Sequence, residues 1–181
     1  MNYFLAQAMN NQWANYRLLQ ACAGLNAAEY AAPRVGFFPS IQATLCHILD
    51  VDLYYLAALK GDLEEQLRPS VNASAFLELA NNQAQADRRL VALCSALSQS
   101  GLAQPVRLVR QAGIKIERAD RVLLHLFEHQ IHHRGQVHGM LSETPVAPPQ
   151  LDEFFLEQDA PLRASEVSAL GIDEAAVWAG K

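Results

Sequence analysis

The chain has 181 residues, 51% of them hydrophobic, and 14 Lys and Arg against 19 Asp and Glu give a formal net charge of −5. That length fits one domain with a substantial core, the apolar content excludes disorder over most of the chain, and the acidic balance argues against a nucleic-acid binder, which would carry a basic patch. Three scattered cysteines with no Cys-x-x-Cys, no signal-peptide pattern and no apolar run long enough to span a bilayer lead us to expect a cytoplasmic protein away from the membrane.

Residues 3–23 read as a first helix, with Phe4, Ala8, Trp13, Tyr16, Leu19 and Ala23 at three-to-five spacing and Asn and Gln between them. Gly24 and Asn26 mark its end. Pro33, Gly36 and Pro39 make residues 25–39 a connector with at most one short turn of helix. Ser40 is placed to cap a second helix over 41–60. Its apolar residues (Ile41, Leu45, Ile48, Val51, Leu53, Leu56 and Leu59) cover more than one face, so it should be buried around much of its circumference. Lys60-Gly61-Asp62 closes it.

A third helix is expected over 74–99, capped by Asn72 or Ser74 and stopped by Gly101. Phe76, Leu79, Ala80, Gln83, Ala86, Leu90, Leu93 and Leu97 form its inner stripe, and Asn81, Asn82, Gln85, Asp87 and Arg88 its outer side. Residues 105–117 then alternate apolar and polar around RQAG, a β-hairpin signal. Two strands alone are marginal, so the hairpin must lean on the helices. Arg107, Arg110, Lys115, Arg118 and Arg121, diluted by Glu117 and Asp120, read as a solvated face.

The fourth helix, 118–142, carries the chemistry. Leu123–Met140 holds five of the six histidines. At about 100° per residue, His125, His129 and His133 share one face, His132 lies on its shoulder, and Gln136 extends it. His138 points to the opposite side. Two imidazoles at i and i+4 can grip one divalent ion, although solvated or core histidines would give the same spacing. A straight stripe cannot surround an ion, so a third ligand must come from elsewhere. The remaining histidine is His47, in the second helix, where a hydrogen-bonded core residue is the alternative. His125 could be a ligand or a donor to one. Asp50 is close enough in sequence to His47 to be a ligand or to orient its ring. Cys46 points about 100° away from His47 and should face the core, as should Tyr54, Tyr55, Phe127, Phe154 and Phe155. Gly135, costing roughly 1 kcal/mol within a helix, is explained if another backbone approaches it.

Two enzyme classes are excluded. A zincin needs His-Glu-x-x-His with the glutamate as base, but Gln130 follows His129. Di-iron bundles need paired Glu-x-x-His motifs, and the chain contains none. Beyond the fourth helix, Pro145, Pro148 and Pro149 form a stiff linker. LDEFFLEQ reads as a short fifth helix, and 165–178 as a weaker Ala-rich segment.

HQIHHRGQVHGML resembles the His-x-x-x-His-Arg-Gly-Gln helix of the DinB/YfiT-like family of metal-dependent four-helix bundles. Ser40–Tyr55 looks like that family's second helix, with Asp52 and Tyr55 at its acidic and aromatic positions after His47. Asn15–Leu19 resembles its N-terminal Asn-x-x-Leu-Leu element, and Pro149–Asp152 its post-bundle segment. The likeness covers about residues 3–156. It implies an all-α fold: a four-helix bundle in up-down-down-up order with long crossovers, the short β-hairpin before the fourth helix, and a short C-terminal helix. Residues 1–160 would form the bundle, with 161–181 packed on it or trailing. It also implies a divalent metal, nickel or zinc, on His47, His129 and His133, and a homodimer.

On this reading the chain is a metal-dependent thiol S-transferase, or a related isomerase or hydrolase, acting on a small molecule with a low-molecular-weight thiol. His125, Gln136 and Asp52 are the residues placed to orient a ligand ring or bound water. A non-catalytic metal or ligand binder of the stress-response kind would use the same residues.

Overall fold

The structure, a computed structural model, describes residues 2–73 and 75–178. Four long helices make the bundle: α1 (Tyr3–Cys22), α3 (Ile41–Lys60), α4 (Phe76–Ala96) and α6 (Ala119–Leu141). Short helices α2 (Ala27–Ala31) and α5 (Gln99–Leu102) and the hairpin β1 (Pro105–Arg110) and β2 (Gly113–Arg118) lie between them, and α7 (Ala160–Leu170) and α8 (Glu174–Trp178) follow. None of the described helices is long and apolar enough to cross a membrane.

Local chemistry sets the ends of α3. The Ser40 Oγ accepts from the Ala43 N–H at 3.1 Å, a cap worth about 1 kcal/mol. At the other end Gly61 adopts φ 79° and donates its N–H to the last carbonyls; a side chain is disfavoured at this φ, and the glycine lets the chain leave the helix.

Named contacts give the helix directions. The Asn2 side chain donates to the Cys94 carbonyl at 2.9 Å, and Asn15 reaches Asp87, so α1 and α4 are antiparallel. Thr44 lies by Met140 and Tyr55 by His125, so α3 and α6 are antiparallel. Gln42 meets Ala73 while Asp52 meets Gln83, so α3 and α4 run the same way. The order is up-down-down-up. Because α3 and α4 are parallel, residues 61–75 must travel the length of the bundle, and the turn Glu65–Leu67 breaks that crossover. The hairpin pairs Arg110 with Gly113 across a two-residue turn. It leans on α3, where the Tyr54 hydroxyl donates to the Val109 carbonyl at 2.8 Å.

The core is built from Leu18, Ile41, Ile48, Leu49, Leu56, Leu79, Leu123, Leu126 and Leu141, all essentially sealed from solvent. Its centre is polar. Arg134 donates to the side-chain carbonyls of Asn11, Asn15 and Gln130. The amide nitrogens of Asn11 and Asn15 donate to Asp87, and that of Gln130 donates to Asp52. Gln83 donates to both acids. One cation and two acids, bridged by four amides, thus join all four long helices. Asp87, expected on the outer side of the third helix, is 3% exposed, because its partners on α1 lie inside. The same partnership buries Asn11 and Asn15, which periodicity places between apolar positions.

Other boundaries also move. Among the described residues Asn72 caps nothing; α4 starts at Phe76, its N-cap is Ala75 with no side-chain cap, and Ser74 lies outside the described residues. Gly101 does not stop α4, which ends at Ala96; it sits inside α5, whose Ser98 caps the Gly101 N–H at 3.1 Å. LDEFFLEQ is not a helix. Residues 151–156 are irregular and lie against α1, and Glu157–Asp159 make one short turn. Phe155 stacks on Trp13 at 5.7 Å, and Arg17 grips both Glu153 and Glu166. Strong tertiary partners for its aromatic and acidic groups outweigh the helix pattern. Ile172 and Val177 are buried, so the segment after α7 packs down as well.

Candidate metal centre

Antiparallel packing of α3 on α6 brings the isolated His47 opposite the histidine stripe. His47, His129 and His133 each present a ring nitrogen, and these atoms all lie within 4.8 Å of one another. The Nε2 atoms of His47 and His129 are 2.9 Å apart. Two nitrogens bound at 2.0–2.1 Å to one tetrahedral ion would be about 3.3 Å apart, so a small outward movement of one ring would admit an ion. Gln136 Oε1 accepts from His133 Nδ1 at 2.8 Å. This bond fixes the tautomer and leaves the His133 Nε2 lone pair free to bind. Phe38 covers one side, its ring 4.3 Å from that of His47. A Cβ on Gly36 would collide with Met140, so glycine there lets the connector pass close to α6 and deliver Phe37 and Phe38 to the site.

The rings are poised as ligands. Burial, then the neighbouring histidines, pushes His129 down to about 3. Burial also lowers His47 and His133. All three are therefore neutral near pH 7, the form a metal requires. The Nδ1 of His129 is buried and has no hydrogen-bond partner among the described residues. Three uncharged imidazoles fit a borderline-soft divalent ion. A cavity of about 620 Å³ adjoins the triad and is walled by Tyr54, Tyr55, Arg68, Arg110, His125 and His132.

A family model described as the DinB family matches residues 1–166. The chain belongs to the DinB family. It is 25% identical to Protein DinB of Bacillus subtilis (strain 168) over 145 residues, 76% of this chain and 83% of that protein. It is 25% identical to the uncharacterized protein YizA of the same organism over 142 residues, 77% and 84% of the two. Among solved structures it superimposes on the DinB-like protein YjoA of Bacillus subtilis with a TM-score of 0.59 at 17% identity, over 80% of this chain and 96% of that one. That last likeness concerns the fold alone. The family match reaches residue 166, into α7, further than the sequence motifs extend.

Against this DinB-family frame the other expected site residues divide. Gln136 supports the triad directly, and its amide nitrogen also bonds His132 at 3.0 Å. His125 lies beside it, ring centroids 6.4 Å from His129, on the cavity wall. Asp52 does not join it. Its Oδ2 accepts from Gln83 and Gln130 in the central polar network, and no triad ring bonds to it. Asp50 is occupied by Arg68 and by the Val71 N–H at 2.7 Å. Cys46 is buried, as expected. His138 is not a free surface group: its Nε2 meets the Pro149 carbonyl at 3.0 Å and ties down the linker. Gly135 has no close neighbour, for a Cβ there would meet nothing within 4 Å; the expected backbone approach is absent.

Three wall residues were read otherwise in the sequence. Tyr54 and Tyr55 line the cavity as well as packing. Arg110 stays exposed but leans from the hairpin over α3, and its Nη2 donates to the Tyr55 hydroxyl at 2.9 Å. The sequence places Arg110 in the RQAG turn, whereas it is the last residue of β1; nothing local signals that it folds back on α3.

Proposed function

We propose that this DinB-family chain is a cytoplasmic metal-dependent enzyme of the thiol S-transferase kind, or a related isomerase or hydrolase, with nickel or zinc on His47, His129 and His133. The supporting observation is the cavity of about 620 Å³ on one side of three neutral imidazoles, whose lining acid, Asp50, is already engaged by Arg68. A fourth position facing that cavity would take a small exogenous ligand. A bound cation supplies charge that lowers the pKa of a thiol or water at neutral pH. The chain's own residues hold the imidazoles neutral by burial, fix the His133 ring through Gln136, and cover His47 with Phe38. The thiol is proposed from the family resemblance and from the affinity of soft sulfur for such an ion.

We also propose a homodimer. His132, His138 and the LDEFF segment (residues 151–155) would supply surface on the sequence alone; His138 is bonded to Pro149 and Phe155 is buried, so the exposed Leu124 and Ile131 of α6 are the better contact.

The test is cobalt substitution. Adding a low-molecular-weight thiol should produce a sulfur-to-cobalt charge-transfer band, and the same thiol should be consumed with an electrophilic acceptor. His133→Ala should lose both. Full metal loading with neither response across the common bacterial thiols would assign the chain to the non-catalytic binders.

A further inference from the structure

Arg110 ends β1 and folds its guanidinium back over α3, 5.0 Å from the Tyr54 ring centre and 5.7 Å from that of Tyr55. The Tyr54 bond to Val109 pins the strand end beneath it. One guanidinium nitrogen, Nη2, is used by the Tyr55 hydroxyl. Among the described residues, the Nε and Nη1 groups find no acceptor and no carboxylate pairs with Arg110. The second arginine of the cavity, Arg68, differs: Asp50 neutralises it at 3.0 Å. A chain with a net charge of −5 therefore leaves one cation uncompensated on the solvent-facing wall of a concave site.

We infer that the cavity takes an organic ligand bearing an oxyanion, a carboxylate or a phosphate, and that Arg110 receives it. The inference rests on reading this cavity as the substrate site, and it does not require the metal. A planar guanidinium set over two tyrosine rings is preorganised for two parallel charge-assisted bonds. Because the Tyr55 oxygen accepts from Arg110, its own O–H is left to donate to a further ligand oxygen. From there the wall runs towards the triad. The Tyr55 ring is 5.4 Å from His125, and His125 is 6.4 Å from His129. A ligand anchored at Arg110 would lay its body along these rings and direct its other end to His47, His129 and His133. The tyrosine faces suit an apolar or aromatic body.

The experiment is calorimetric titration of the full chain, metal-free and metal-loaded, with benzoate, phenyl phosphate and the neutral benzyl alcohol. In both states an anion should bind at least about tenfold more tightly than the alcohol; whichever anion binds better identifies carboxylate or phosphate. Arg110→Met should erase the preference while leaving metal content and alcohol binding unchanged. Arg110→Gln, which can still bond to Tyr55, should do the same and serves if the methionine variant does not fold. An absent preference in the wild type overturns the assignment. So does a preference that survives loss of the arginine, or one that appears only with metal loaded. A chain that binds no metal yet shows the Arg110-dependent preference would refute the metal reading and leave this one standing.

Discussion

Replacing Asp87 by Asn should change the pH dependence of stability more than stability itself. Asp87 is pushed up from 3.8 to about 7, first by burial and then by the neighbouring Asp52. Asp52 is raised to about 6, chiefly by burial. Arg134, although lowered to about 10 by burial, stays charged at neutral pH, so one cation faces two acids. The fold holds the Asp87 proton up to about pH 7, whereas the unfolded chain releases it near 3.8. Between those values the folded state binds more protons, and stability falls as pH rises. The contribution is fully present below 3.8 and lost above about 7. At about 1.4 kcal/mol per tenfold change in acidity, that displacement is worth roughly 4 kcal/mol. Asn preserves the contacts, because Asn11, Asn15 and Gln83 all donate to a single Asp87 oxygen. Urea unfolding of metal-free wild type and Asp87→Asn from pH 4 to pH 8 measures the effect. The histidines, whose lowered pKa values make stability fall with acid below 6.5, contribute alike to both proteins and cancel in the difference. The variant should gain on the wild type by a few kcal/mol as pH rises. A difference that stays constant across the range would refute a retained proton at Asp87.

Four further outcomes are expected. His129→Ala should lose stoichiometric metal and the metal-dependent rise in thermal stability, which for wild type at a hundredfold excess over Kd is about 2.7 kcal/mol; full metal content in the variant would dismiss the triad. Gln136→Ala should lower metal affinity about 10- to 100-fold by freeing the His133 ring, and an unchanged titration would show that the bond to His133 is idle. Gly135→Ala should stabilise the chain by up to about 1 kcal/mol, since its methyl meets open space within a helix; a loss in thermal melting would mean that something outside the chain approaches there. Sedimentation at micromolar concentration should show a dimer that Ile131→Glu weakens, and a wild type found only as a monomer would rule the dimer out.

Much of the fold was legible because helices are local. The 3.6-residue period placed His125, His129 and His133 on one face, Ser40 announced its own cap, and Gly61 announced the end of α3. The four long helices and the hairpin follow from patterns within a few residues of one another. The need for a ligand from a second segment, together with the lone His47, pointed to the triad before any packing was known.

What tertiary structure decided was the direction and partnership of polar groups. Asp87, Asn11 and Asn15 look solvated in any short window; apart from Gln83, one helical turn from Asp87, the partners that bury them lie more than 70 residues away and come inside only when α1, α4 and α6 meet. Asp52, read as support for the metal, belongs to that same network, because five residues of helix turn it about 140° from His47, away from the cavity and towards Gln83 and Gln130. Arg110 reads as a surface cation until the hairpin turns back on α3 and sets it over two tyrosines. Residues 151–156 carry helix-like spacing but are irregular, held by Trp13 and Arg17. In each case periodicity states which side of an element a residue occupies, while burial of a polar group depends on donors and acceptors from distant segments, and only the packed chain brings those together.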